Sequence, residues 1–439
     1  MKRNLLLLIV VQVLLVLLLI LVQYGRDTGA WDEDSWWAAA FSQQEEESGA
    51  QGNAGAEEGA GTEAAEEELP LEEEPRPGDV LSVETEILEP GFPVELLYTR
   101  YQLSYTYFVA EGTVALWESP SAEAARAGTA QSRDKLSYVE TVQVAGAEEG
   151  STETWYHVKL EKDGESCFGF VRAGDALSRR SYRFDQAEAA VEELDALALK
   201  GGLAHIGNYK NYKGMAPKYK GSSVDAAGVG RSQAAPAYPS LSDLTEFSYL
   251  EDGTLLRLLD TVGEYGLVTV LYTGKSYYVP LRYVDREEAT LQSLERVIVV
   301  DRENQNQMVY EKRQGSWTLI SCTLATTGTS GPYSSLTPLG YYYAMEKRSQ
   351  FYYYKDGTTE IQGYAPYVIR FSGGGYVHGV GVNYQYDSAG NRITPGHVEY
   401  SSSIGTVPLS HKCVRNYTSH AKFLYDRYET GTTAVVVIE

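Results

Sequence analysis

Tyr376-Val377-His378-Gly379, followed by Ser410-His411-Lys412-Cys413-Val414-Arg415, are the stretches on which the reading of this chain turns. They set one thiol thirty-five positions beyond a histidine, with a second histidine two residues before the thiol and an arginine two residues after it. A thiolate is the species that attacks a carbonyl, so an imidazole able to take the thiol proton turns a weak nucleophile into a strong one. Arg415 adds positive charge that favours a thiolate or a bound carboxylate. Backbone N–H groups around Lys412 and Cys413 are candidates to receive the oxyanion of an attacked carbonyl. Spacing alone leaves a second reading equally open, in which Cys413 is a buried, inert thiol beside a histidine that only satisfies backbone groups.

The longer text Ile369-Arg370-Phe371-Ser372-Gly373-Gly374-Gly375-Tyr376-Val377-His378-Gly379, taken with Ile404-Gly405 and Ser410 to Arg415, resembles the signature of the L,D-transpeptidase catalytic domain. Other pieces of that domain follow in order. A hairpin of Arg296 to Asp301 and Gln307 to Lys312 comes first, then Thr326-Thr327-Gly328 and Thr337-Pro338-Leu339-Gly340, and last a short helix and a valine-rich strand. The resemblance spans 296–439. It implies a β-sandwich and acyl transfer on peptidoglycan with no metal or organic cofactor. Cys413 would be the nucleophile, His378 the general base, and the Gly379 carbonyl the group that orients the imidazole. Ser410, His411, Lys412, Arg415 and Tyr376 would form the substrate pocket and oxyanion environment. An L,D-carboxypeptidase, which gives the same thioester to water, and an inactive wall-binding scaffold are the alternatives.

Two departures from the family stand out: lysine occupies position 412, where glycine is usual, and the loop from His378 to Ser410 is long. A left-handed backbone at Lys412 would cost about 1–2 kcal/mol. His397, inside that loop, is the rival base because it lies nearer to Cys413 in sequence. His420 reads as a cap or surface residue.

The chain has 439 residues, 43% hydrophobic and 12% aromatic, with 35 tyrosines, which is room for two to four packed domains rich in strands. Sixteen carboxylates and no lysine or arginine lie between Asp27 and Glu74, leaving −7 of the formal −23 for everything else. The acidity belongs to a tether, and without a basic patch to offset it nucleic acid is excluded as a partner. Three scattered cysteines make neither a disulfide framework nor a zinc site, and Cys167 and Cys322 read as core thiols.

In chain order, residues 1–4 form a basic cytoplasmic tip and Leu5 to Val22 an apolar run long enough to span a bilayer once. Protein beyond it is expected outside the cytoplasm, in contact with peptidoglycan. Residues 23–90 form an acidic, disordered linker. Residues 91–178 carry short Val-, Tyr- and Trp-rich runs, and with Trp155-Tyr156-His157-Val158 and Gly169-Phe170-Val171 they resemble a bacterial SH3-like domain. Phe184 to Lys200 reads as a helix with capping-box spacing between Asp185 and Glu188. The rest of 179–245 reads as an irregular connector in which His205, Lys210, Lys213, Lys218 and Lys220 are candidates to touch an anionic partner but read first as a solvated loop, and 246–295 reads as a second small SH3-like module. The aromatic runs Tyr341 to Tyr343 and Phe351 to Tyr354 are candidates to roof the site. The fold expected is mainly β: small SH3-like β-barrel modules ahead of an L,D-transpeptidase-like β-sandwich, behind an N-terminal transmembrane helix.

Overall fold

The computed structural model describes residue 76 and residues 78–439 apart from 149 and 163. The expected anchor at 5–22 and most of the linker at 23–90 lie outside the described residues. Among the described residues no helix is long and apolar enough to cross a membrane. The architecture is mainly β, with two α-helices among the described residues.

A described strand lies ahead of the expected boundary at 91. Val80–Glu84 pairs antiparallel with Lys135–Ala145, and it is largely exposed, which is why its composition reads as linker. The sheet it joins runs Arg126–Ala130, Val114–Trp117, Glu165–Arg172, Thr152–Lys162, Lys135–Ala145, Thr106–Ala110 and Leu177–Ser181. Its core is Phe108, Leu116, Leu136, Val158 and Val171, while Trp155 packs separately on Val142 and Val144. Residues 93–97 leave this sheet and run beside Ser316–Leu324, donating from Glu95 N–H and Leu97 N–H to the carbonyls of Leu319 and Ile320.

The first helix, Phe184–Leu199, forms as its alanine and leucine content predicts, but the capping box does not. Arg183 is the N-cap and makes no side-chain cap bond, because Glu188 is used elsewhere: it accepts the N–H groups of Gly91 at 2.8 Å and Phe92 at 3.2 Å. The helix buries Ala187, Val191 and Leu194 in the same core as Val297, Val299 and Tyr310. Three polar contacts pin it there. Arg183 grips the fully buried Asp301 through two bonds of 2.7 Å, Asp195 accepts from Lys312 and from the Trp317 indole, and the Tyr341 hydroxyl donates to Glu193. Removing Arg183 would strand a buried carboxylate at a cost of about 3–5 kcal/mol, so this helix is fixed to the sheet beneath it.

The connector is not irregular. Leu203–Ile206 lies inside a five-stranded sheet ordered Ser276–Pro280, Tyr265–Val270, Leu255–Val262, Leu203–Ile206 and Val284–Arg286. Ala234–Ala237 pairs with Ser248–Glu251. The middle module therefore runs over 203–286 rather than 246–295. A four-residue strand interrupted by His205 is too short for its alternation to be read in sequence. Its turn at Gly253 has φ +87°, and a Cβ there would lie 2.0 Å from the Phe371 carbonyl, so only glycine lets the module come this close to the next domain.

Residues 296–439 build two stacked sheets. The first is ordered Ser316–Leu324, Asn306–Arg313, Arg296–Asp301, Thr433–Ile438 and Gly340–Tyr343, and its two central strands are parallel. The second is Glu346–Tyr354, Ile361–Ser372, Gly375–His378 and Val414–Arg415, with Val382–Asn383 on the edge. Ile298, Val300, Val435 and Val437 of the first meet Ile369, Phe371, Val377 and Val414 of the second, and Leu424 of the helix Thr418–Arg427 closes the layer. Each such side chain taken from water contributes about 1.5–3 kcal/mol. Tyr341, Tyr342 and Tyr343 are core residues of the first sheet, not a roof, because their strand pairs with the fully buried Thr433–Ile438. Only the second aromatic run, in Glu346–Tyr354, borders the cleft.

Candidate active site

Gly375–His378 and Val414–Arg415 are parallel neighbours, with Val377 opposite Val414 and His378 opposite Arg415. Alternate residues of a strand share a face, so the two valines go into the core, where both are at most 1% exposed. Tyr376, His378, Cys413 and Arg415 are sent to the other face. There they line one cavity of about 920 Å³, together with Ser410 and His411. Strand spacing puts the backbones of Cys413 and His378 roughly 8 Å apart on the diagonal, within reach for two side chains on one face.

His378 is buried, and its Nδ1 lies 2.6 Å from the Gly379 carbonyl oxygen. A carbonyl only accepts, so Nδ1 carries the proton and Nε2 keeps its lone pair. Burial holds the imidazole pKa down at about 3, which leaves it neutral at ordinary pH. Phe351 meets the ring edge-on at 5.1 Å. Burial pushes the Cys413 thiol up to about 11, against smaller opposing effects of the Tyr376 backbone, Arg415 and Lys412. Its Sγ lies 3.6 Å from the Gly374 carbonyl, to which the thiol donates. The resting pair is thus a neutral thiol and a neutral imidazole, with the base form already available.

The other expected site residues have distinct jobs. Ser410 is buried and donates from Oγ to the Cys413 carbonyl at 2.5 Å while accepting the Lys412 N–H at 3.3 Å, so it holds the turn that carries Cys413. His411 is half exposed and its Nε2 lies 2.9 Å from Asp356, a clasp at the rim formed with the tip of the neighbouring hairpin. Arg415 is held through its backbone, exchanging bonds of 2.8 and 2.9 Å with Thr326, and its side chain lines the cavity. Tyr376 stacks on Phe351 at 4.7 Å and its hydroxyl meets that of Tyr209 at 3.1 Å.

Lys412 has φ 159°, at the edge of the extended region and not in the left-handed helical one. The strain expected of it is therefore absent. Its carbonyl accepts from Thr337 at 2.8 Å, and its ammonium lies 2.6 Å from Glu251 of the middle module and 3.1 Å from the Gly373 carbonyl.

The two remaining histidines near the site fall away from it. His397 packs against the rings of Tyr364 and Tyr367 and is not among the residues that line the cavity. His420 is fully buried, not at the surface, and links Ser321 Oγ at 2.8 Å to Asn416 Oδ1 at 2.9 Å. Cys322 is a core thiol pushed up to about 12 by burial, and Cys167 is half-buried beside the Ala127 carbonyl. Among the described residues no group of His, Cys, Asp and Glu is arranged to hold a metal.

With this geometry in view, the family described as YkuD, the L,D-transpeptidase catalytic domain, matches residues 295–438. Those residues form an L,D-transpeptidase catalytic domain. Solved structures that resemble the chain include a fused Zn-dependent amidase, peptidase and peptidoglycan-binding protein from Clostridium acetobutylicum, at 22% identity and TM-score 0.23, covering 33% of this chain and 52% of that one. An L,D-transpeptidase from Mycobacterium smegmatis is 13% identical at TM-score 0.26, over 65% of this chain and 91% of that one. Another from Mycobacterium tuberculosis H37Rv is 19% identical at TM-score 0.24, over 37% and 72%. The chain thus spans about half the length of the first of these. No curated protein matches it.

Four further residues belong to this cleft. Tyr209, Lys210 and Gln233 line it from the middle module, and Glu251 holds Lys412. Lys210 belongs to the lysine group that the sequence marks as a candidate for an anionic partner while reading it as a solvated loop; Tyr209, Gln233 and Glu251 carry no such signal, since their neighbours across the cleft are more than a hundred residues away.

Proposed function

We propose that this chain is a membrane-tethered cysteine L,D-transpeptidase that crosslinks peptidoglycan stems. The observation that carries the reading is the buried, neutral His378, fixed by the Gly379 carbonyl with Nε2 free, on the same sheet face as Cys413. The Cys413 thiol passes its proton to His378 Nε2 as Sγ attacks the carbonyl of the third, L-configured stem residue. The oxyanion takes its hydrogen bond from the Cys413 N–H, because the Lys412 N–H is engaged by Ser410. Collapse breaks the amide bond to the terminal D-alanine, whose amine leaves with the proton from His378, and the stem stays as a thioester. An amine of a second stem then attacks the thioester, its surplus proton returns through His378 to sulfur, and a new amide bond results. Incubated with a defined tetrapeptide stem, the chain should gain the mass of the stem less D-alanine. An added amine should convert that adduct to a crosslinked peptide. No adduct would sink the reading, and release only to water would make the chain an L,D-carboxypeptidase.

The apolar run Leu5 to Val22 behind Lys2 and Arg3 supports a single-pass anchor, with the acidic linker giving the catalytic part reach above the bilayer. The peptidoglycan-facing side is then extracytoplasmic. Protease added outside spheroplasts should remove the domain, and a protected domain would overturn this topology. The sheet from 80 to 181, whose sequence resembles a bacterial SH3-like domain, is read as a module that holds wall peptides. Retention of the Cys413-blocked chain on purified wall, lost when residues 78–181 are deleted, is the result expected of that role.

A further inference from the structure

One wall of the cleft is not made by the catalytic domain. Tyr209, Lys210 and Gln233, from two loops of the middle module, line it. Tyr209 places its hydroxyl 3.1 Å from that of Tyr376, on the strand beside Cys413, and its ring lies 4.3 Å under the Arg370 guanidinium. Gln233 lies against Gly373, where a Cβ would come within 2.5 Å of its own.

The two loops are held in an unusual backbone. Lys210, Asn211 and Gln233 have φ of 52°, 57° and 57°, the left-handed region that side chains other than glycine rarely occupy. Side-chain hydrogen bonds enforce it. The side-chain amide of Asn208, fully buried, donates to the carbonyls of Gly214 and Ala234, Gln233 Oε1 accepts the Lys210 N–H at 2.9 Å, and Asn211 Oδ1 accepts the Gln233 N–H at 2.8 Å. Strain that the surroundings over-determine marks places where a side chain must be presented in one way. Here that side chain is Lys210, exposed and with no carboxylate partner among the described residues.

Charge gives the reason. In a chain of net charge −23, the cleft is lined by Lys210, Arg348, Lys355 and Arg415 against the single carboxylate of Asp356. Arg348 is already neutralised by Glu346 at 2.7 Å. On the wall built by the middle module, Lys210 is the uncompensated cation. We infer that the middle module is part of the catalytic cleft and that Lys210 binds a carboxylate of the peptide acyl donor, setting a preference for an acidic stem. This rests on the acyl-transfer reading above.

The test uses the full chain and two donor peptides that differ only in a side-chain carboxylate, free in one and amidated in the other. Wild type should show the lower KM for the free acid. Lys210→Gln should raise that KM by about threefold to tenfold, erase the difference between donors and leave kcat unchanged, as loss of one charge-assisted contact predicts. Lys210→Arg should retain the preference, and salt should weaken it in wild type. An unchanged KM ratio in Lys210→Gln, with wild type turning over both donors, overturns the inference alone. Turnover of neither donor by wild type overturns the acyl-transfer reading and this inference with it.

Discussion

Cys413→Ala should lose acylation by a stem tetrapeptide altogether, a fall of about 10⁴-fold or more in the rate of D-alanine release, as expected when the nucleophile of a covalent mechanism is removed. Neither other thiol can replace it. Cys322 sits in the core between Leu319 and Leu324, with its pKa pushed up to about 12, and Cys167 belongs to the first sheet, where it donates to the Ala127 carbonyl. The substitution deletes one sulfur atom from a side chain already at the cavity wall, and the Ser410 bond that shapes the turn goes to the Cys413 backbone carbonyl, which alanine keeps. The variant should therefore fold and still bind the donor. Intact-protein mass and D-alanine release would both be read. An adduct that persists in Cys413→Ala, or one that maps to Cys167 in wild type, would remove Cys413 from the nucleophile's place.

How much of this was legible in the sequence depended on how local each interaction is. The pairing of His378 with the Gly379 carbonyl is between adjacent residues, and the alternation of Tyr376, His378, Cys413 and Arg415 is a property of two short strands, so this geometry is legible in the motif. The helix Phe184–Leu199 was legible from composition, but its capping box was not, because Glu188 was drawn to two N–H groups almost a hundred residues earlier. Lys412 shows the same limit from the other side. Its sequence marked a departure from the family, yet its role depends on Glu251, a partner in a module whose first strand the sequence hid. Tyr341 to Tyr343 were misplaced because an aromatic strand can belong to either sheet of a sandwich, and the choice was made by the parallel pairing of Arg296–Asp301 with Thr433–Ile438, which no local pattern encodes. Long-range contacts decided what short motifs left open.

His378→Ala should lower the acylation rate by roughly 10²–10⁴, the usual effect of losing a positioned general base, whereas His397→Ala should leave it nearly unchanged. The contrast follows from placement: His378 lines the cavity with Cys413, and His397 is held against Tyr364 and Tyr367 away from it. The pH profile supplies a second, independent sign. A base is active in its neutral form, and burial lowers the His378 pKa from 6.5 to about 3, so lowering the pH through 6.5 does not protonate it. At the other end the thiol, raised to about 11, remains protonated through the neutral range. The reactive pair of neutral imidazole and neutral thiol thus prevails from about pH 5 to pH 8, and wild-type kcat/KM should be flat across that interval, with no acid limb at the ordinary histidine value. Loss of acylation confined to His397→Ala would show that the long loop supplies the base and that the fixed ring of His378 serves only to hold the strand beside Cys413.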